Sequence, residues 1–168
     1  MSNNKRIMIF IDHNNLFYEY RRLGIVFKYI PLVRIISQER SIDKIFTYMG
    51  TEYLRDRKRI VNREKFFQLL KRKGITVRKI PLVEKPGGKQ KEKEVDISLA
   101  IDILDFAFKN ELDRAILVSG DGDFRPVIKR LQKYNKEIEI WSFRNTLSSR
   151  LKQTVEAGDI HYLDDYLS

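Results

Sequence analysis

The chain contains the stretch Ser119-Gly120-Asp121-Gly122-Asp123-Phe124 between an apolar run and a proline. The apolar run, residues 115–118, predicts a buried strand, and Pro126 suits the first turn of a helix. This order places both aspartates at the carboxyl end of a strand, where ligand sites collect in open α/β sheets. The glycines allow the tight backbone path that brings the two acids together. Since like charges held this close favour a bound cation, the stretch predicts a metal site.

A second apolar strand also ends on an acid. Residues 6–11 predict this strand, and Asp12 follows it, ahead of His13-Asn14-Asn15. In a parallel sheet, strands that both end in aspartate bring their carboxylates to the same edge. A helix cap is the alternative role for each aspartate, because Asp is common at the position before a helix. The two motifs together favour a cation-binding cluster.

Short apolar strands alternate with amphipathic helices along the chain. The predicted strands cover residues 6–11, 44–49, 75–83, 115–118 and 137–143, with a short closing segment at 160–163. The predicted helices cover residues 16–23, 31–38, 62–73, 95–109, 124–134 and 148–157. In the third of these helices, the residues predicted to face inward are Phe66, Phe67, Leu69 and Leu70. The alternation predicts an α/β fold with a mostly parallel sheet and helices on both faces.

The length and composition indicate one globular domain over residues 1–168. Of the 168 residues, 42% are hydrophobic and 33% are charged, which is ordinary for a soluble protein. Residues 84–94 are rich in lysine and glycine and predict a flexible basic segment. The chain has no run of about 18 apolar residues and no signal-peptide pattern after its start. We therefore expect a cytoplasmic protein without a membrane span.

Several classes of catalytic site are excluded by the residues that the chain lacks. It has no cysteine and only two histidines, so it offers neither a thiol nucleophile nor the usual zinc ligands. The residues around Ser119 do not match the nucleophile elbow of serine hydrolases, and no P-loop or dinucleotide-binding motif is present. Aspartates are therefore the residues left to carry chemistry.

The net charge of +10, from 33 basic and 23 acidic residues, indicates a polyanionic partner. Nucleic acid is the first candidate and an anionic membrane surface the second. Arg125, Lys129 and Lys133 recur every four residues after the acidic stretch and predict a basic stripe on one helix. A second basic group, which fits either a phosphate-guiding segment or a solvated linker, comprises Lys89, Lys91 and Lys93.

The predicted helix over residues 95–109 carries aspartates on different faces. At about 100° per residue, Asp96 lies on the core-facing side with Leu99 and Ile103. Asp102 and Asp105 lie on a polar stripe that we expect to be solvated. Asp96 is therefore the third candidate site acid, with stabilisation of the positive helix end as its alternative role.

Three motifs resemble those of NYN domains, which are nucleases of the PIN-like superfamily, and in particular those of the LabA-like group. The matching segments are Phe10-Ile11-Asp12-His13-Asn14-Asn15-Leu16, residues 93–102 and residues 118–124. The resemblance spans nearly the whole chain. It implies a Rossmann-like, three-layer α/β/α sandwich whose acidic cluster binds Mg²⁺ or Mn²⁺ and cleaves RNA.

Carried over position by position, the resemblance gives metal-binding and catalytic roles to Asp12, Asp96, Asp121 and Asp123. It makes Asn15 and Ser119 polar companions of these acids, and Asp102 a secondary candidate. His13 departs from the family pattern, in which a small residue is usual at this position, so its role is open.

We therefore predict a metal-dependent endoribonuclease that acts on RNA, with DNA as a second candidate substrate. The main alternative is a non-catalytic RNA-binding or protein-interaction module with the same fold. A phosphatase of the haloacid dehalogenase type is disfavoured, because Asn14 stands where its motif needs a second aspartate. The oligomeric state is open, a homodimer included. Base stacking and core packing are both open as roles for Tyr18, Tyr20 and Trp141.

Overall fold

A computed structural model of the chain describes residues 4–82 and 93–167. Within them, six strands form one sheet in which every neighbouring pair is parallel. The strands are β1 (Ile7–Asp12), β2 (Lys44–Thr51), β3 (Ile75–Pro81), β4 (Arg114–Val118), β5 (Glu137–Ser142) and β6 (Ile160–Tyr162). Their spatial order is β3-β2-β1-β4-β5-β6. The predicted α/β fold with a parallel sheet is confirmed.

Helices cover both faces of the sheet and complete the three layers. They are α1 (His13–Arg22), α2 (Tyr29–Ser37), α3 (Arg57–Arg72), α4 (Lys93–Phe108), α5 (Arg125–Lys133) and α6 (Ser149–Lys152). Side chains of β1 alternate between two cores, since Phe10 packs with the α4 and α5 side whereas Ile11 packs with α1, α2 and α3. Both are fully buried, which explains the continuous apolar run of this strand.

The strand order places the point where the chain changes direction between β1 and β4. From β1 the chain builds outward through β2 to β3, and it then returns to add β4, β5 and β6 on the other side. In open α/β sheets, a crevice for ligands forms outside the carboxyl ends of the strands at this point. The two acidic motifs of the sequence lie at these two strand ends.

The third helix differs from its prediction at its start and on its buried face. It begins at Arg57 rather than residue 62, because the Asp56 side chain accepts a hydrogen bond from the Arg59 backbone at 2.7 Å and caps it. Phe67 and Leu70 are buried as predicted, but the prediction was wrong for Phe66 and Leu69, which are 37% and 43% exposed. Only a narrow stripe of α3 contacts the sheet.

The predicted helix over residues 148–157 is also shorter than expected, since α6 ends at Lys152. The Thr154 hydroxyl donates to the Arg150 carbonyl at 2.7 Å, and the Thr154 backbone N–H bonds Leu151 in a tighter turn. A threonine side chain that competes in this way for backbone groups disfavours a continuing helix.

The predicted flexible segment at 84–94 falls mostly outside the described residues, which resume at Lys93. Lys93 and Glu94 belong to the first turn of α4, so the prediction was wrong for these two positions. Within the described ranges, the helices are too short or too polar to cross a membrane.

A buried ionic group fixes β5 to the end of α2. Glu139 is 1% exposed and accepts hydrogen bonds from two nitrogens of Arg40, at 2.7 and 2.9 Å. Arg114 and the Trp141 indole also donate to it, at 3.1 and 2.6 Å. Burial alone would raise the pKa of Glu139, but the bonds from Arg40 and Trp141 outweigh burial and hold that pKa below its ordinary value.

We expect Glu139→Gln to lower the free energy of unfolding by about 3 kcal/mol, because it leaves the partly buried guanidinium groups of Arg40 and Arg114 without their carboxylate. Chemical denaturation followed by circular dichroism measures the change. Because the folded pKa is depressed, the stabilisation is present above the ordinary glutamate value and is lost as the pH falls below about 4.3. The variant should therefore lose less stability than the wild type on acidification.

Asp105→Asn is the matched control, since it removes the same charge from an exposed pair with Lys109. An exposed pair four residues apart on a helix contributes about 0.3–0.5 kcal/mol. Equal destabilisation by the two substitutions would contradict the assignment of Glu139 as a structural centre.

Candidate functional site

The site begins where β1 and β4 end side by side. Ile11 is paired with Val118 in the parallel register, so Asp12 and Ser119 are the next residues on the two strands. Both are buried, with Asp12 only 3% exposed. The Ser119 hydroxyl donates to Oδ2 of Asp12 at 2.9 Å. This bond ties the two predicted motifs together.

Asn15 makes a second link between the same two segments. Its backbone N–H donates to Oδ1 of Asp12 at 3.2 Å, so Asp12 caps α1. Its side-chain Oδ1 accepts the backbone N–H of Gly120 at 3.1 Å. Asn15 and Ser119 therefore hold the acidic stretch against the start of α1.

The acidic stretch folds as a short 3-10 helix, Gly122–Phe124, that runs directly into α5. The Asp121 backbone N–H donates to the Ser119 hydroxyl at 3.2 Å. The Asp121 side chain in turn accepts the Asp123 backbone N–H at 2.9 Å. Asp12 and Asp121 thus both act as helix caps, so the alternative role weighed from the sequence is observed. A capping bond uses one lone pair of a carboxylate oxygen, and a carboxylate has about four such acceptor sites.

Two glycines allow this stretch to pack against the segment after β5. A Cβ on Gly120 would lie 2.3 Å from the Thr146 carbonyl oxygen, and one on Gly122 would lie 2.5 Å from Ser148 Oγ. The Ser148 backbone N–H donates to the Gly120 carbonyl at 2.9 Å. The glycines are therefore required by close backbone approach.

Arg150 is a residue at the site that the sequence analysis did not identify. Its Nη1 lies 3.5 Å from Oδ1 of Asp123, whose side chain is 77% exposed. The Ser148 cap predicts a helix start nearby, but the sequence does not show that this helix abuts the acidic stretch. Only the β4–β5 pairing, together with the Ser148–Gly120 bond, brings Arg150 there.

The aspartates of α4 are placed differently from one another. Asp96 is half-buried in the first turn, next to the fully buried Val95, on a helix that packs against β1 and β2. The prediction that Asp102 is solvated was wrong, because the Tyr48 hydroxyl donates to it at 2.7 Å and Arg78 donates to it at 3.1 Å. The helical wheel failed here because it shows only the angle on the helix, and not the long side chains that reach it from β2 and β3. Asp105 is exposed, as predicted.

The donor chemistry of the site fits a hard divalent cation. Asp12 and Asp121 supply carboxylate oxygens, the ligands that Mg²⁺ and Mn²⁺ prefer, and Ser119 bonds to both residues. Among residues 4–82 and 93–167, however, the acids do not converge into a group of three that could hold a metal ion. The residue types fit the cation, but in the part of the chain that the structure describes they do not form a closed ligand set.

The His13 side chain is held by a tyrosine hydroxyl and by aromatic rings. Its Nδ1 lies 2.7 Å from the Tyr29 hydroxyl, which in turn lies 2.7 Å from the Thr47 hydroxyl. Burial lowers the pKa of His13 to about 4, so the imidazole is neutral at pH 7. Its ring stacks on Phe17 at a centroid distance of 5.4 Å. His13 therefore anchors an aromatic cluster beside Asp12.

The predicted basic stripe lies on α5. Arg125 directly follows the 3-10 helix and is half-buried, whereas Lys129 and Lys133 are exposed. Eight residues of helix place Lys133 about 12 Å from Arg125 along the axis. Of the second basic group, Lys89 and Lys91 lie outside the described residues and Lys93 is exposed at the start of α4.

The three aromatic residues left open by the sequence separate clearly by burial. Tyr20 and Trp141 belong to the core, whereas Tyr18 is 58% exposed on α1. Of these three, Tyr18 alone presents a ring to solvent near the acidic edge.

Comparisons with known proteins agree with the fold and the motifs. The NYN domain matches residues 6–162. The chain is 28% identical over 156 residues to the low amplitude and bright protein LabA of Synechococcus elongatus, covering 90% of this chain and 81% of that protein. A crystal structure of a protein of unknown function from Vibrio parahaemolyticus superposes with a TM-score of 0.78 and 26% identity. That match covers 98% of this chain and 97% of the other.

We expect Gly120→Ala to destabilise the protein by about 2 kcal/mol, because the added methyl group overlaps the Thr146 carbonyl and the Ser142 hydroxyl. Thermal melting measures the loss. Gly158→Ala is the control, since an added methyl group there meets no atom within 4 Å among the described residues. Equal melting temperatures for the two variants would contradict the close packing of the acidic stretch.

Proposed function

Because the chain belongs to the NYN domain family of PIN-like nucleases, we propose that it is a metal-dependent endoribonuclease. The observation that carries the proposal is the chain of hydrogen bonds from Asp12 through Ser119 and Asp121 to Asp123 at the switch point of the sheet. We propose the cytoplasm as its location and RNA as its substrate. DNA is the second substrate to be tested.

In this proposal the acids hold the cation and neighbouring groups hold the acids. Asp12, Asp96, Asp121 and Asp123 are the residues that would hold it. When bound, Mg²⁺ or Mn²⁺ would activate water at neutral pH and stabilise charge on the scissile phosphate. Ser119 and Asn15 orient Asp12 through hydrogen bonds of 2.9 and 3.2 Å.

Histidine-based acid–base cleavage has little support from the contacts of the two histidines. The His13 ring nitrogen bonds Tyr29, and its low pKa leaves it neutral. The His161 ring stacks on Trp141 at 4.6 Å, beside Glu139 on β5. Carboxylates are therefore the better candidates for the chemistry.

Asp102 has a supporting role in this proposal. Its bonds to Tyr48 and Arg78 connect α4 to β2 and β3. Burial and the bond to Asp102 raise the pKa of Tyr48, so its hydroxyl stays protonated and donates. These contacts fix the position of α4, which carries Asp96.

One observation favours the non-catalytic alternative, in which the chain binds RNA without cleaving it. Arg150 lies 3.5 Å from Asp123 and occupies part of the space around one proposed ligand. A cation bound at Asp123 would compete with this guanidinium. Both partners are more than half exposed, so the ion pair is weak and a divalent ion can displace it.

We expect the wild type to cleave single-stranded RNA with Mn²⁺ or Mg²⁺, to stop with EDTA, and to leave 5′-phosphate and 3′-hydroxyl ends. Asp12→Asn and Asp123→Asn should each lower the rate about 100-fold or more, because each removes a proposed ligand. RNA binding should persist or tighten, since a negative charge is lost near a phosphate. Gel analysis of labelled RNA and fluorescence anisotropy give the two readouts.

Asp105→Asn is the control for charge removal and should retain the wild-type rate. Mn²⁺ should raise the melting temperature of the wild type but not that of Asp12→Asn, since a ligand that binds the folded state stabilises it. Wild-type protein that binds RNA without cleaving it under every metal tested would support the binding-module alternative.

We also expect RNA affinity to fall steeply with salt, because contacts to phosphates release counterions. Charge reversal at both Lys129 and Lys133 should reduce the slope of log affinity against log salt by about 1.4, or about 0.7 for each lost contact with a single strand. Anisotropy titrations across a salt series measure this slope. The same reversals at Lys65 and Lys71, which are exposed on α3, are the control and should change the slope less.

A further inference from the structure

An aromatic and basic pocket lies directly beside the acidic edge. It is an open pocket of about 570 Å³ and is lined by residues of α1, the end of β2 and α3. His13 and Asn14 line it, and they are the two residues that follow Asp12. We infer that this pocket binds an unpaired nucleobase of the RNA strand whose phosphate lies at the acidic edge. The inference rests on the proposed function, since it assigns a subsite to that activity.

The first observation is the exposed ring surface. Three aromatic residues that line the pocket are exposed in the folded chain: Phe17 by 41%, Tyr18 by 58% and Phe66 by 37%. Phe17 is held in place by stacking on His13, and the Phe17 and Tyr18 ring centroids lie 6.3 Å apart. Exposed rings in a fixed position are what a single-stranded nucleic acid uses to stack its bases.

The second observation is the cationic wall. Arg59 and Arg63 line the pocket from α3. Nη1 of Arg63 donates to the Glu52 carbonyl at 2.7 Å, which fixes the guanidinium. Its buried Nε has no hydrogen-bond partner among the residues that the structure describes. Guanidinium groups beside aromatic faces suit a nucleotide, because they contact phosphates and stack on bases.

The third observation is the polar rim, which gives the pocket acceptors as well as donors. Glu52 lines the pocket, and a carboxylate is the kind of group that accepts from the amino group of a base. The Asn14 amide offers both a donor and an acceptor. Stacking surface, cations and edge-reading polar groups thus meet in one pocket.

The position of the pocket connects it to the acidic edge. Asn15 accepts the Gly120 N–H, so the first turn of α1 touches the acidic stretch while its next residues line the pocket. A strand that crosses this turn has its phosphate at Asp12 and an adjacent base beside Tyr18. On the other side of the acids, Arg150 and the α5 stripe are placed to meet the rest of the strand.

The test measures binding in EDTA, so that it does not depend on cleavage. A labelled single-stranded RNA of about 12 nucleotides is titrated with wild type, Tyr18→Ala and Arg59→Ala. We expect Tyr18→Ala to weaken binding about tenfold, the value of one base stacked on one ring. The matched controls are Phe108→Ala and Lys58→Ala, which should bind like the wild type. Phe108 is a 77% exposed ring at the C-terminal end of α4, and Lys58 is an exposed cation on α3.

An abasic version of the same RNA tests whether the base is what binds. Loss of the bases should weaken binding to the wild type, and Tyr18→Ala should add little further loss, because the two changes remove one contact. Independent, additive losses would overturn the inference. Competition with single mononucleotides distinguishes the source of the base. Displacement of the labelled RNA by mononucleotides at the same concentrations as unlabelled RNA would show a free-nucleotide site and overturn the inference.

The two proposals can fail separately in these experiments. If Mn²⁺-dependent cleavage occurs but Tyr18→Ala and Arg59→Ala bind RNA like their controls, the pocket inference is wrong and the nuclease proposal stands. If cleavage is absent under all metals but the Tyr18 effect on base-containing RNA remains, the pocket stands and the nuclease proposal is wrong.

Discussion

The hydrogen bond from Ser119 to Asp12 joins the ends of the two central strands, and the arrangement of the site depends on it. It is possible because β1 and β4 are parallel neighbours with Ile11 opposite Val118. A register shifted by one residue would turn one of the two side chains to the opposite face. The buried alternation of β1 between two cores resists such a shift, so packing energy fixes the site geometry.

The first turn of α1 serves two purposes at once. Its backbone is capped by Asp12, and its Asn15 side chain holds Gly120 of the acidic stretch. Its following residues form one wall of the aromatic pocket, where His13 is tied to Tyr29 and Thr47. The acidic edge and the pocket therefore share the start of α1.

Acids have distinct roles in this basic chain according to their partners. Glu139 and Asp102 are held by Arg40 and Arg78, and they connect elements of the fold. Asp12 accepts a hydroxyl and a backbone N–H at the carboxyl edge of the sheet, the place where ligands enter such folds. Composition alone does not separate these roles, because the partners of an acidic side chain come from distant parts of the chain.

The sequence alone determined the alternation of strands and helices, the parallel sheet and the acidic motifs at two strand ends, since apolar runs and caps are local patterns. It did not determine the end of α6, the contacts of Asp102 or the place of Arg150, because these follow from side chains that meet across the fold. The exposed ring of Tyr18 beside a buried Tyr20 was likewise a tertiary outcome. These features depend on which residues lie close together in space, and the order of residues in the chain does not show that directly.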